Sequence, residues 1–244
     1  TCDILVAPPQ TVGDTVVDGI CGQVPDSVLP GFIGFEAGQS SFGDVFAWFD
    51  RVLRWGRGDD LKAGSLLPSL EEAAKELPPG GLGERALDWL NGRRTPDADQ
   101  KVRSVIAGLH LGSSAPSIYR ALVESTAFGS RAIADRFVDQ GIPVERVVAI
   151  GGIARKSRFI TRVCADVLGR EIEVVESDEC CARGAAIFAA TAAGEYRDVH
   201  EAKAAMHSPV EAVFKPDPEA VKVYDALYAD YVTLGAFAND LASK

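Results

Sequence analysis

The spacing of apolar and polar positions changes several times along the chain, and each change marks an expected element. Residues 4–7, 15–17 and 32–35 are short β-rich runs. Pro8-Pro9, Gly13, Gly19, Gly22 and Pro25-Asp26 stand between them and supply turn chemistry, so three strands are predicted. From Ser40 the period becomes helical: Phe42, Val45, Phe46, Phe49, Val52 and Leu53 fall on one face. Residues 56–83 are richer in Gly, Pro and charge, with a short helix expected over 69–76 and a loop at Pro78-Pro79-Gly80-Gly81.

The second half alternates more clearly. Val105-Ile106 reads as a short strand. Ile118, Ala121, Leu122, Ser125, Ile133 and Phe137 mark one face of a long helix, with Pro116 at its start, where no N–H is needed. Residues 146–150 form a buried-strand run ending at Gly151-Gly152, followed by a helix over 157–168 that Gly169 stops. A strand over 171–175 and a small-residue helix over 182–193 come next. A terminal amphipathic helix over 216–238 carries Val221, Tyr224, Leu227, Tyr228 and Tyr231. Strands first and β-α-β-α afterwards predict one α/β domain with a mixed sheet.

Composition narrows the classes of function. With 47% hydrophobic and 25% charged residues the chain is an ordinary globular sequence, not a disordered one. A net charge of −10 argues against nucleic acid and against an anionic membrane surface, both of which call for a basic face. No apolar run approaches the roughly 20 residues of a membrane helix and no signal peptide is present, so a cytoplasmic protein is expected. Thr1 opens straight into the Ile4-Leu5-Val6 run, which predicts that a longer protein precedes it. The five cysteines are odd in number, with no Cys-x-x-Cys and no nearby His pair, which disfavours both a disulfide framework and zinc. Cys180-Cys181 is read as buried small-apolar packing rather than a redox pair.

Four segments carry candidate chemistry. In Val147-Val148-Ala149-Ile150-Gly151-Gly152-Ile153-Ala154-Arg155-Lys156 a strand feeds a Gly-Gly turn and a helix, where a ligand can lie against bare backbone and free N–H groups. A tight β-to-α turn with no ligand explains the same pattern equally well. Neither the P-loop nor the dinucleotide fingerprint is present. Gly31 to Ser40 places Glu36 at the end of an apolar strand, as a carboxylate for a polyol or as a helix-start acid favoured by the dipole. Asp88 to Pro96 puts Arg93 and Arg94 in a Gly/Pro loop, either plain surface or a partner for phosphate or acids. Cys180 to Ala186 begins a helix whose small residues suit close packing on a sheet.

Taken together and in this order, these segments resemble the FGGY family of carbohydrate kinases, and within it the members that act on ribulose. Glu36-Ala37-Gly38-Gln39-Ser40 and Gly151-Gly152-Ile153-Ala154-Arg155-Lys156 are the specific parts, and the resemblance covers essentially the whole chain. Arg93 stands where the commoner family loop, Gly-Glu-Arg-x-Pro, has an acid. The resemblance implies a ribonuclease H-like, actin-like ATPase domain with a mixed central sheet flanked by helices. It implies that residues 1–244 are the C-terminal, nucleotide-binding domain, and that the sugar-binding and catalytic N-terminal domain is a separate part of the protein. ATP and Mg²⁺ are the implied cofactors, with the metal ligand and the catalytic Asp in that other domain. Ribulose or a related ketopentose is the implied substrate, and a homo-oligomer is compatible. Position by position, Glu36 matches an acid that reaches the sugar. Thr1 matches the end of a phosphate-binding loop, and Gly43 a backbone site beside the nucleotide. Gly151 and Gly152 match the adenosine-loop glycines, and Lys156 a side chain near the adenine. Competing readings are another sugar kinase of the family, such as a xylulokinase, and a non-enzymatic actin-like nucleotide-binding module.

Overall fold

The computed structural model describes residues 3–55, 64–177 and 179–244. Strand β1 (Asp3–Ala7) and the single turn α1 (Pro9–Val12) precede β2 (Gly22–Pro25) and β3 (Ile33–Ala37). The three strands form an antiparallel sheet in the order β1-β3-β2, with Leu5 and Gln23 opposite Phe35, and Ile4 and Gly22 opposite Glu36. Alternation along β3 buries Phe35 completely and sends Glu36 to the other face. Residues 15–17, expected to be a strand, are not one. The Val17 N–H donates to Gln23 Oε1 at 3.0 Å, and Gln23 Nε2 donates to the Thr15 carbonyl at 2.8 Å. One side chain thus satisfies backbone groups that a ladder would have used, and the second strand begins later, at Gly22.

Helix α2 (Gly43–Arg54) buries Val45, Phe46 and Phe49, the face its period marks out. Helix α3 (Leu67–Lys75) follows, and then a two-residue ribbon of β4 (Arg85–Ala86) and β5 (Ile106–Ala107). Helix α4 (Ala115–Asp139) starts at a capping box of Ser114 and Ser117, with Pro116 in its first turn. Every residue from Tyr119 to Gly129 is buried, so α4 is enclosed on all sides for about three turns. This explains why its apolar stripe is interrupted by Arg120, Glu124, Ser125 and Thr126, each of which finds a partner inside.

Strand β6 (Val147–Ala149) leads through α5 (Gly152–Lys156) into α6 (Arg158–Leu168), β7 (Ile172–Val175), α7 (Cys180–Ala192) and α8 (Val199–Met206). Strand β8 (Val210–Phe214) and helix α9 (Pro218–Ala242) complete the chain. The mixed pairing lies in the sheet β6-β7-β8, where β6 runs parallel and β8 antiparallel to β7. Strands of the two halves therefore sit in separate three-stranded sheets. Phe35, Ala7 and Ala37 pack on Ile133 and Phe137 of α4, while Ile172, Val174 and Phe214 pack on Ala165 of α6. A third and larger core joins α2, α3, α4, α6 and α9. Helices α4 and α6 thus pack on each other, and each also packs on one of the small sheets.

Helix α7 departs from expectation. It lies beside α8, not on a sheet, and none of its residues is buried. The reading of Cys180-Cys181 as buried packing is corrected accordingly: Cys181 is exposed and Cys180 half-buried, its thiol donating to the Ser177 carbonyl at 3.4 Å. Among the described residues no helix is long and apolar enough to cross a membrane.

Candidate functional site

Two glycine-bearing turns from distant parts of the chain meet. Strand β6 ends at Ala149, and two residues further on Gly151 has a φ of +88°, a conformation that L side chains rarely adopt. Gly152 opens α5 and Lys156 closes it, and no side chain caps the start. Facing it, Gly43 opens α2, again without a side-chain cap. A Cβ built on Gly43 would stand 2.6 Å from Ile153 Cδ1, so α5 lies close against the start of α2 and the end of the isoleucine side chain would have to turn aside for any larger residue. A Cβ on Gly152 would meet nothing nearer than Cε and Nζ of Lys156, both at 3.8 Å. Backbone conformation thus favours glycine at 151, and close packing against Ile153 favours it at 43. Gly152 instead leaves bare backbone open to a ligand, with the exposed Lys156 ammonium alongside. Two uncapped helix starts and an ammonium suit a ligand rich in oxygen. Thr1 lies outside the described residues.

The second candidate, Glu36, is joined by a motif whose role the sequence left open. Arg94 Nη2 reaches Glu36 Oε1 at 2.6 Å, and both side chains are close to half-exposed. The apolar and small residues that flank Glu36 in sequence thus do not keep it from solvent. The helix-start reading also falls away, because Glu36 lies within β3 and Asp44 occupies the first turn of α2. Thr95, next to Arg94, approaches Cys21 with 3.4 Å between Oγ1 and Sγ, which ties the 92–96 loop to the strand sheet. Arg93 turns the other way. It stacks over Trp89 at 4.8 Å and donates to Asn239 Oδ1 and the Asp97 carbonyl, which is a packing role.

Sequence reasoning missed the network beneath the turn between β3 and α2. Gln39 is buried and donates from Nε2 to Asp88 Oδ2 and to the Thr126 carbonyl, each at 2.8 Å. Its Oε1 accepts from Ser130 Oγ at 3.0 Å, and Tyr231 donates its hydroxyl to Asp88 Oδ1 at 2.8 Å. These bonds pin the segment carrying Glu36 and Gly43 to helix α4. One signal was available: Gly129, an isolated glycine inside a helical pattern, marks a place where something approaches closely.

Burial pushes the Asp88 carboxyl up from 3.8 to about 6, against the opposing pull of its Gln39 and Tyr231 hydrogen bonds. The folded state therefore holds this proton more tightly than the unfolded chain. Between about pH 4 and 6 the group's contribution to stability falls as pH rises, by up to about 3 kcal/mol in total. The expected result is that wild type loses stability relative to Asp88→Asn over that window in urea unfolding. Tyr231 can reverse its hydroxyl to accept from the new amide. Parallel pH profiles for the two proteins would contradict this.

The fold and the two turns define a class, and comparison with known proteins agrees with it. The chain belongs to the FGGY family of carbohydrate kinases: the model of that family's C-terminal domain matches residues 1–193. It is 49% identical to the ribulokinase of Vibrio parahaemolyticus serotype O3:K6, over 99% of this chain and 45% of that protein. It is 41% identical to the ribulokinase of Halalkalibacterium halodurans, over 93% and 42% of the two chains. The chain thus spans less than half the length of these curated relatives. Among solved structures it resembles xylulose kinase from Rhodospirillum rubrum, with a TM-score of 0.74 and 26% identity over 88% of this chain and 42% of that one. Gluconate kinase from Lactobacillus acidophilus, with a TM-score of 0.79 at 20% identity over 100% of this chain and 46% of that one, shares the fold. The actin-like ATPase architecture implied by the sequence is the one observed.

The residues present fit a nucleotide. Ser40 Oγ, on the segment entering α2, is buried without a hydrogen-bond partner among the described residues, and the opening over Gly152 would be filled by any side chain placed there. No group of three or more metal-ligating side chains occurs among the described residues.

Proposed function

We propose that this chain is the nucleotide-holding half of an ATP-dependent kinase that phosphorylates ribulose, or a related ketopentose, at its terminal hydroxyl to give ribulose 5-phosphate. The approach of Gly43 to Ile153 carries the reading, because it assembles one cradle from two glycine turns far apart in sequence. The names of the relatives that match nearly the whole chain support the choice of sugar. Bound ATP supplies the phosphoryl group. Here Gly151 and Gly152 present backbone to the adenosine and Lys156 lies beside the adenine. Gly43 keeps α2 close enough to form the opposite wall. Glu36 accepts hydrogen bonds from the sugar's hydroxyls, with Arg94 holding its carboxylate in place. A second domain, for which the length of the relatives leaves room, supplies the catalytic base and the magnesium ligand and closes over both substrates. Catalysis of this kind is mostly positioning and charge stabilisation, so this half alone turns over no sugar.

The test is a panel of pentuloses and polyols assayed with the natural-length protein and its Gly152→Val variant. Ribulose is expected to be the best substrate. A Cβ there has room within the protein and the backbone of Gly152 is not in the left-handed region, so a raised KM reports the ligand rather than a strained turn. The KM for ATP should rise about tenfold or more while that for sugar stays nearly constant. An unchanged KM for ATP with an unchanged melting temperature would return the Gly151-Gly152 turn to a purely structural role.

A further inference from the structure

A cavity of about 460 Å³ opens between α3, α4, α6 and β8, and none of Glu36, Gly43, Gly151, Gly152 or Lys156 lines it. Four cationic side chains do: Lys75, Arg120, Arg158 and Arg162. Two of them are committed elsewhere. Arg120 is buried against Glu124 at 2.9 Å and donates to the carbonyls of Ala74 and Leu77. Lys75 pairs with Glu72 at 3.0 Å and Glu71 at 3.5 Å.

Arg158 and Arg162 are different. Their guanidiniums rest over the Phe214 ring at 5.1 and 5.4 Å from its centroid. Arg162 also donates to the Lys215 carbonyl, and Asp166 lies one turn further along α6, near enough to offset part of its charge. Asp166 itself accepts the Asp217 N–H at 2.8 Å. Arg158 has no hydrogen bond and no carboxylate partner among the described residues. That runs against composition, since acids outnumber bases by 35 to 25 and an arginine without one is not the default. It also runs against helix electrostatics. Arg158 is the first residue of α6, whose first turn contains no acid, and a cation there opposes the helix dipole. A local rule broken in this way, beside a cavity of ligand size, points to a missing counter-charge.

We propose that this cavity binds a small phosphate-bearing anion, with the forked donors of Arg158 and Arg162 on its oxygens and the start of α6 adding to the field. Phe214 holds both guanidiniums over its ring, and the cavity has room for an organic group behind the phosphate. The site is separate from the nucleotide cradle but adjoins it. Ser157, the residue between α5 and α6, caps α6 at the Ile160 N–H and donates to Glu71, which in turn pairs with Lys75 at the cavity wall. The inference does not rest on the proposed kinase activity.

Calorimetric titration of the natural-length protein with inorganic phosphate, and separately with glycerol 3-phosphate, tests it. Saturating ADP keeps the nucleotide cradle filled throughout. Saturable binding of at least one probe is expected, weakened about tenfold by Arg158→Gln and further by Arg158→Glu. Lys156→Gln, in the cradle, should leave it unchanged. Tighter binding of the ester would assign an organic phosphate, and tighter binding of the free ion would assign phosphate itself. Arg158 makes no hydrogen bond among the described residues, so melting temperature should hold in both Arg158 variants. No saturable binding of either probe, or binding that survives Arg158→Glu, overturns the site, as does binding lost with Lys156→Gln instead.

Discussion

Gly129→Ala is expected to lower the unfolding free energy by about 3 kcal/mol, although alanine favours a helix interior over glycine by about 1 kcal/mol. The sign follows from distances. A Cβ at Gly129 would stand 2.3 Å from Gln39 Nε2 and 2.4 Å from Asp88 Oδ2, inside the buried network that ties the β3–α2 turn to α4. Either the amide and the carboxylate are driven apart, leaving buried polar groups unpaired, or the helix shifts. For a domain of this size the loss corresponds to a fall of roughly 6–12 °C in melting temperature. Gly184 in α7 is the matched control, since nothing lies within 4 Å of its would-be Cβ and alanine there should be neutral or slightly stabilising. Should Gly129→Ala melt at or above the wild-type temperature, the packing of Gln39 and Asp88 on α4 is wrong.

Glu36→Ala should cost about ten- to a hundredfold in kcat/KM for the sugar, with the KM for ATP nearly unchanged. Arg94 sharpens the test. If it holds the carboxylate toward the sugar, Arg94→Ala should lower sugar kcat/KM in the same direction but by less, and the double variant should fall short of the sum of the two effects. Stability is the discriminating readout. The pair is close to half-exposed and is worth roughly 0–1 kcal/mol to the fold, so neither variant should melt more than a few degrees early. Normal turnover of ribulose by Glu36→Ala would leave the Glu36–Arg94 pair as a surface contact, and the sugar would have to be held from elsewhere.

Long periodic segments were the legible part of this fold. Helices α2, α4, α6 and α9 lie where their apolar spacing put them, because burial against several neighbours enforces the period that the sequence displays. Short strands were less secure. A single glutamine, Gln23, moved the second strand by supplying hydrogen bonds that no pattern of apolar residues encodes. Which strands become neighbours was not legible either, since β-rich runs state their faces but not their partners. In the candidate site, the glycine turns announced themselves through backbone chemistry. The contacts between Glu36 and Arg94, and between Gln39 and Asp88, did not, because they join residues 58 and 49 positions apart. Helix α7 shows the converse failure. Its small apolar residues promised close packing that the structure does not contain.

The stretch from Glu36 to Gly43 works as a gauge block between two binding sites. Its start is fixed by strand register, its middle by Gln39 on Asp88 and Thr126, and its end by Ile153 against Gly43. One added residue would displace the helix start by up to about 3.5 Å or turn Glu36 to the opposite face of the sheet. The turn between β2 and β3 has no such duty: Asp26 closes it through the Phe32 carbonyl and the Gly31 N–H, both on the exposed side. Insertions and deletions, in natural relatives or in engineered libraries, should therefore accumulate at residues 26–31 and be purged from 37–42.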